Sequence, residues 1–120
     1  MARVRKINQN VEMTQNDYVE FVFTTYDLDG NKVDISGAVI VYEVNNGPHS
    51  VAALFSKSVG AGVTIAADQV ANKGEWTVII DPGDTVDLEG KLWHEAYISL
   101  GGKPVTAMDG DFKVVASRQR

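Results

Sequence analysis

A chain of 120 residues with no cysteine is the size of one domain and must close its core without disulfides. Its sixteen acidic and eleven basic residues leave a net charge of −5, which argues against nucleic-acid binding, where phosphates demand a basic surface. No apolar run approaches the roughly 20 residues that span a bilayer, and no apolar stretch follows the basic residues 1–6, so neither a membrane helix nor a secretory signal is read and a soluble protein is expected.

In chain order, residues 2–8 are predicted as a first, edge strand, with Arg3 and Arg5 placing charge around Val4 and Ile7. Residues 8–16 read as polar and turn-like. In 18–26, Val19, Phe21 and Phe23 share one face while Glu20 and Thr24 mark the other, the period of two that defines a strand. Asp27-Leu28-Asp29-Gly30-Asn31 turns the chain. Residues 38–44 set Ile40, Tyr42 and Val44 against Val39 and Val41, and burial on both faces is predicted. Asn45-Asn46-Gly47-Pro48-His49 is a turn cluster.

Residues 51–59 suit a strand better than a single helical turn, and Gly60-Ala61-Gly62 closes them. A short strand at 63–66 leads through 69–73 and Gly74 into 75–81, where Trp76, Val78 and Ile80 make an apolar face. Asp81-Pro82-Gly83-Asp84 is a turn, because Pro82 fixes φ and Gly83 tolerates positive φ. Residues 92–100 place Leu92, His94, Ala96, Ile98 and Leu100 on one side and Trp93, Glu95 and Tyr97 on the other. Gly101-Gly102 closes a hairpin into 105–108, and 111–116 is the last strand. Seven to nine short strands without an amphipathic helix predict an all-β fold, and an immunoglobulin-like antiparallel β-sandwich is expected over a closed barrel. The whole chain is read as one domain with basic arms at 1–8 and 116–120. All sixteen acidic residues lie between Glu12 and Asp111, whereas Arg3, Arg5, Lys6, Lys113, Arg118 and Arg120 sit near the ends.

Chemistry-bearing patterns are few. The loop Asp27-x-Asp29-Gly30-Asn31-x-x-Asp34 clusters oxygen ligands of the kind calcium takes. It lacks the glycine and glutamate of an EF-hand at its sixth and twelfth positions, Lys32 and Ala38, so an Asx-rich turn is expected instead. Asp81, Asp84, Asp87 and Glu89 form a second acidic group around a turn, and exposed carboxylates are expected there rather than a catalytic pair. His49 and His94 lack a second ligand at metal spacing, and His94 reads as a half-buried strand histidine with a hydrogen-bond partner. No nucleophile motif or phosphate loop is present, so no catalytic, metal or cofactor residue is assigned and an enzyme is not expected. Trp76, Trp93, Tyr97 and Tyr42 offer aromatic surface that fits core, inter-subunit contact or a sugar platform.

The order of turn and strand motifs resembles a known group. D-x-D-G-N-x-V-D-I-S-G-A at 27–38 is similar to a "D-x-x-G-x-P-V-D-L-T-G-A" pattern, and Gly74-Glu75-Trp76-Thr77-Val78-Ile79-Ile80 follows, then Asp84-Thr85. Gly90-Lys91-Leu92-Trp93-His94-Glu95-Ala96-Tyr97 is similar to a "G-x-Y-x-H/Y-E-x-x-V" strand, shifted by a residue or two after its glycine. Gly102-Lys103-Pro104-Val105-Thr106 and Asp109-Gly110-Asp111-Phe112-Lys113-Val114 close the series. Together they resemble the small immunoglobulin-like domains of tailed-phage and prophage structural proteins, including the N-terminal domain of upper baseplate proteins. The resemblance implies a non-enzymatic virion protein (head decoration or fibre, neck, tail or baseplate component) that assembles with other virion proteins, as a homo-oligomer or on a symmetric lattice. Because the chain ends shortly after the domain, a stand-alone subunit is expected over a baseplate arm. Expected interface residues are Arg3, Arg5, Lys6, Trp93, Tyr97, Arg118 and Arg120. A carbohydrate-binding sandwich module is the alternative.

Overall fold

Alternating apolar residues become strands almost wherever they occur in this chain. The computed structural model describes residues 4–48 and 52–117, and among them it has no α-helix. The strands in chain order are β1 Val4–Arg5, β2 Ile7–Asn8, β3 Val11–Thr14, β4 Val19–Thr24, β5 Tyr26–Asp27, β6 Val39–Asn45, β7 Phe55–Val59 and β8 Gly62–Ile65. β9 Glu75–Ile80, a 3₁₀ turn at Pro82–Thr85, β10 Gly90–Leu100 and β11 Lys103–Val115 complete the series. One mixed sheet runs β2-β11-β10-β6-β7-β8-β9-β4, with β3 also on β11, while β1 pairs with β5 alone. The result is a single all-β domain.

The sheet curls because its two wings share one core. Phe21 on β4, at one end of the strand order, meets Phe112 on β11 near the other, ring centroids 6.2 Å apart and edge to face. Phe23 packs on Trp76 at 4.9 Å and stacks on Tyr42 at 6.3 Å, joining β4 and β9 to β6. Ile40, Tyr42 and Val44 from β6, Trp76, Val78 and Ile80 from β9, and Ala96 and Ile98 from β10 are all buried in the same cluster. Burial of each large side chain contributes about 1.5–3 kcal/mol, so these alternating faces supply most of the drive to fold.

Several expectations are corrected. The strands are not all antiparallel: β2 and β3 run parallel to β11, and β7 runs parallel to β8. The polar stretch 8–16 contains β3, because Val11 and Met13 alternate inward opposite Phe112 and Val114 despite their polar neighbours. β6 is fully buried on one face, while the other runs from Val39, 58% exposed, through half-buried Val41 and Glu43 to buried Asn45. The last two expected strands are one strand, β11, which continues straight through Gly110. There the N-terminal segment lies so close that a Cβ would collide with the Gln9 carbonyl and sit 2.8 Å from Asn10 Oδ1.

Candidate functional site

The pairing of three strands composes a face that no single strand shows. On the outward side of β6, β10 and β11, register places Trp93 between Asn45 and Asp111, Glu95 between Glu43 and Asp109, and Tyr97 between Val41 and Thr106. Sequence reading put Trp93, Glu95 and Tyr97 on one side of their strand, and the structure places them there, half-buried, opposite the buried Leu92, His94, Ala96 and Ile98. Glu43, Asn45, Asp109 and Asp111 were not assigned from sequence. Only the cross-strand register brings them beside the aromatic pair, and nothing local in the chain signals it.

Charge on this face is unevenly answered. Lys6 lies 3.1 Å from Asp109 and Lys91 lies 3.6 Å from Asp111. Glu43 and Glu95 have no cation within ion-pair distance among the described residues. Like charges directly opposite on neighbouring strands destabilise a sheet, so folding gives no reason for that pair. Glu95 instead accepts a bond from Asn45 Nδ2 at 3.3 Å. Partial burial first, then the bond to Glu95 and the charges of Glu95 and Glu43, push the Tyr97 hydroxyl up to about 12. Asn45 is 2% exposed, and its Oδ1 has no hydrogen-bond partner among the described residues.

The remaining sequence candidates resolve into structure. Trp76 and Tyr42 are core residues at 2% and 0% exposure, which removes them from any sugar platform. His94 is not half-buried but fully enclosed, with Nδ1 2.8 Å from the Tyr42 hydroxyl and Nε2 2.6 Å from the Gln9 carbonyl. A carbonyl only accepts, so Nε2 carries the proton and Nδ1 accepts from Tyr42. Burial lowers the His94 pKa, against the opposing pull of the Gln9 bond and of Asp109 and Asp111.

In the acidic loop, Asp27 Oδ1 accepts the backbone N–H groups of Asp29 and Asn31, each at 2.9 Å, the Asx-turn geometry. Asp34 binds Ser36 in the same manner, and both of those bonds lower its pKa. In the second acidic group, Lys57 Nζ sits 2.7 Å from Asp84 and 3.4 Å from Asp81. Arg5 is exposed and Lys6 holds Asp109. Arg3, Arg118, Arg120 and His49 lie outside the described residues.

No family model matches the chain, and no curated protein matches it. Among solved structures, an endo-fucoidan hydrolase from glycoside hydrolase family 107 is similar at 15% identity and a TM-score of 0.48, over 93% of this chain. The chain spans 13% of that protein's length. At that likeness neither fold nor activity carries over.

Proposed function

We propose that this is a non-enzymatic, immunoglobulin-like β-domain that works by protein–protein assembly as a structural component of a phage or prophage virion. The motif order supports the virion placement. The immunoglobulin-like assignment draws support from two inner faces, β4–β9 and β6–β10–β11, that close on a shared core. The observation that carries the assembly reading is the outward Trp93–Tyr97 pair, which the fold does not use: the core closes on the other side of β10. Aromatic residues held half-open on a regular sheet are the anchors that interfaces bury.

A carbohydrate-binding module remains the second reading, favoured by the two rings flanking Glu95 on one face. Light scattering across a concentration series, at low and high salt, tests the first. A defined oligomer supports assembly. A monomer throughout, combined with a tryptophan fluorescence change on adding neutral oligosaccharides, transfers the reading to glycan binding.

A further inference from the structure

We infer that the outward face of β6–β10–β11 receives an arginine-bearing basic segment of a protein partner, with the guanidinium seated on Glu43 and Glu95 between the rings of Trp93 and Tyr97. The inference deepens the assembly reading and rests on it. Three independent features of the face converge on this occupant.

The first is unanswered charge. Glu43 and Glu95 stand directly opposite one another on neighbouring strands, while the acids on the adjoining strand already have lysines. An added cation relieves the repulsion between the two glutamates.

The second is the aromatic frame. Trp93 and Tyr97 lie two residues to either side of Glu95 on the same face, about 6–7 Å along the strand in each direction. That separation puts a cation held by Glu95 at the reach of both ring faces. Guanidinium fits such a frame better than ammonium, because it is planar, stacks on rings and presents a fork of donors to carboxylates.

The third is a polar atom without a partner. Asn45 stands across from Trp93, and its Nδ2 already bonds Glu95 at 3.3 Å. Its Oδ1, on the same amide, is buried and unsatisfied among the described residues. A buried acceptor left in that state is destabilising until a donor arrives. A guanidinium seated on Glu95 stands beside this amide and carries N–H donors.

The test uses the whole chain and a blocked tetra-arginine peptide, with binding followed by calorimetry and by amide chemical shifts. The expected result is shifts centred on Trp93, Glu95 and Tyr97, and weaker binding of tetra-lysine. The double variant Glu43→Gln with Glu95→Gln, which preserves shape, is expected to lose tenfold or more in affinity. The control Asp29→Asn with Asp34→Asn removes equal charge from another loop and is expected to change affinity less than twofold. Equal losses in both doubles, or shifts spread over the acidic surface, overturn the inference as mere charge attraction. A neutral oligosaccharide that shifts the same amides when the peptide does not overturns it in favour of glycan. The outcome is separable from the assembly reading: a salt-sensitive oligomer with no peptide response overturns this inference alone. Peptide binding to a chain that is monomeric at every concentration supports this inference and counts against self-assembly.

Discussion

The two faces of β10 obey different rules although their residues interleave. Inward, Leu92, His94, Ala96 and Ile98 are buried, and even the polar member has both ring nitrogens bonded. Outward, Trp93, Glu95 and Tyr97 are half-buried beside an opposed glutamate and an orphaned amide oxygen. Stability accounts for the inner face, and it leaves the outer face with an opposed glutamate pair that folding does not explain. The same strand therefore separates what holds the fold from what the fold presents.

The sharpest way to break that contrast is to truncate one tryptophan from each side. Trp76→Ala, from the buried cluster, is expected to cost about 3–5 kcal/mol in urea unfolding. Trp93→Ala is expected to cost at least about 2 kcal/mol less. Equal costs make Trp93 a structural residue and remove the outer face as a candidate site. Next in size is the inner hydrogen-bond chain. Tyr42→Phe leaves His94 Nδ1 enclosed without its donor and is expected to cost about 1–3 kcal/mol, readable as a shift in the urea midpoint with unchanged slope.

The inner face also sets a pH dependence. The native pKa of His94 is lowered by burial, so below about 6.5 the unfolded chain takes a proton that the native state refuses. Stability is therefore full above that value and falls as pH drops toward the lowered native pKa. Urea unfolding from pH 7.5 to 5.5 is expected to show this loss, and His94→Asn is expected to flatten it. A loss of the same size in His94→Asn assigns the dependence to another group. The contribution of Asp34 falls lower: its lowered carboxyl adds stability above the ordinary aspartate range that disappears as pH drops through its native value.

The smallest effect belongs to the Lys57 ion pair, covered on its Asp84 side and open at Asp81. Lys57→Met, removing the contacts to Asp84 and Asp81, is expected to cost about 1 kcal/mol or less, and less still in high salt.

Which parts of this contrast the chain announces follows from the range of each signal. Alternation is local, so the sidedness of β4, β9 and β10 was readable from Val19-x-Phe21-x-Phe23, Trp76-x-Val78-x-Ile80 and the run from Leu92 to Ile98. Register is not local. The adjacency of Glu43 and Glu95, 52 residues apart in number, depends on how β6 lies on β10, and no short pattern encodes it. The parallel placement of β3 was masked by Glu12 and Thr14, whose outward polarity made a half-buried strand look like a turn. Gly110 read as a break between strands because glycine commonly ends them. Here it is a gap in one continuous strand, vacated so that the Gln9 backbone can approach and reach His94.

The central claim is that the outward Trp93–Tyr97 face serves association rather than folding. Solution mass by light scattering, for the natural chain beside the Trp93→Ala, Tyr97→Ala double variant over one concentration series, tests it most directly. The account predicts an oligomer for the natural chain and a folded monomer for the variant. Identical masses for both at every concentration would contradict it.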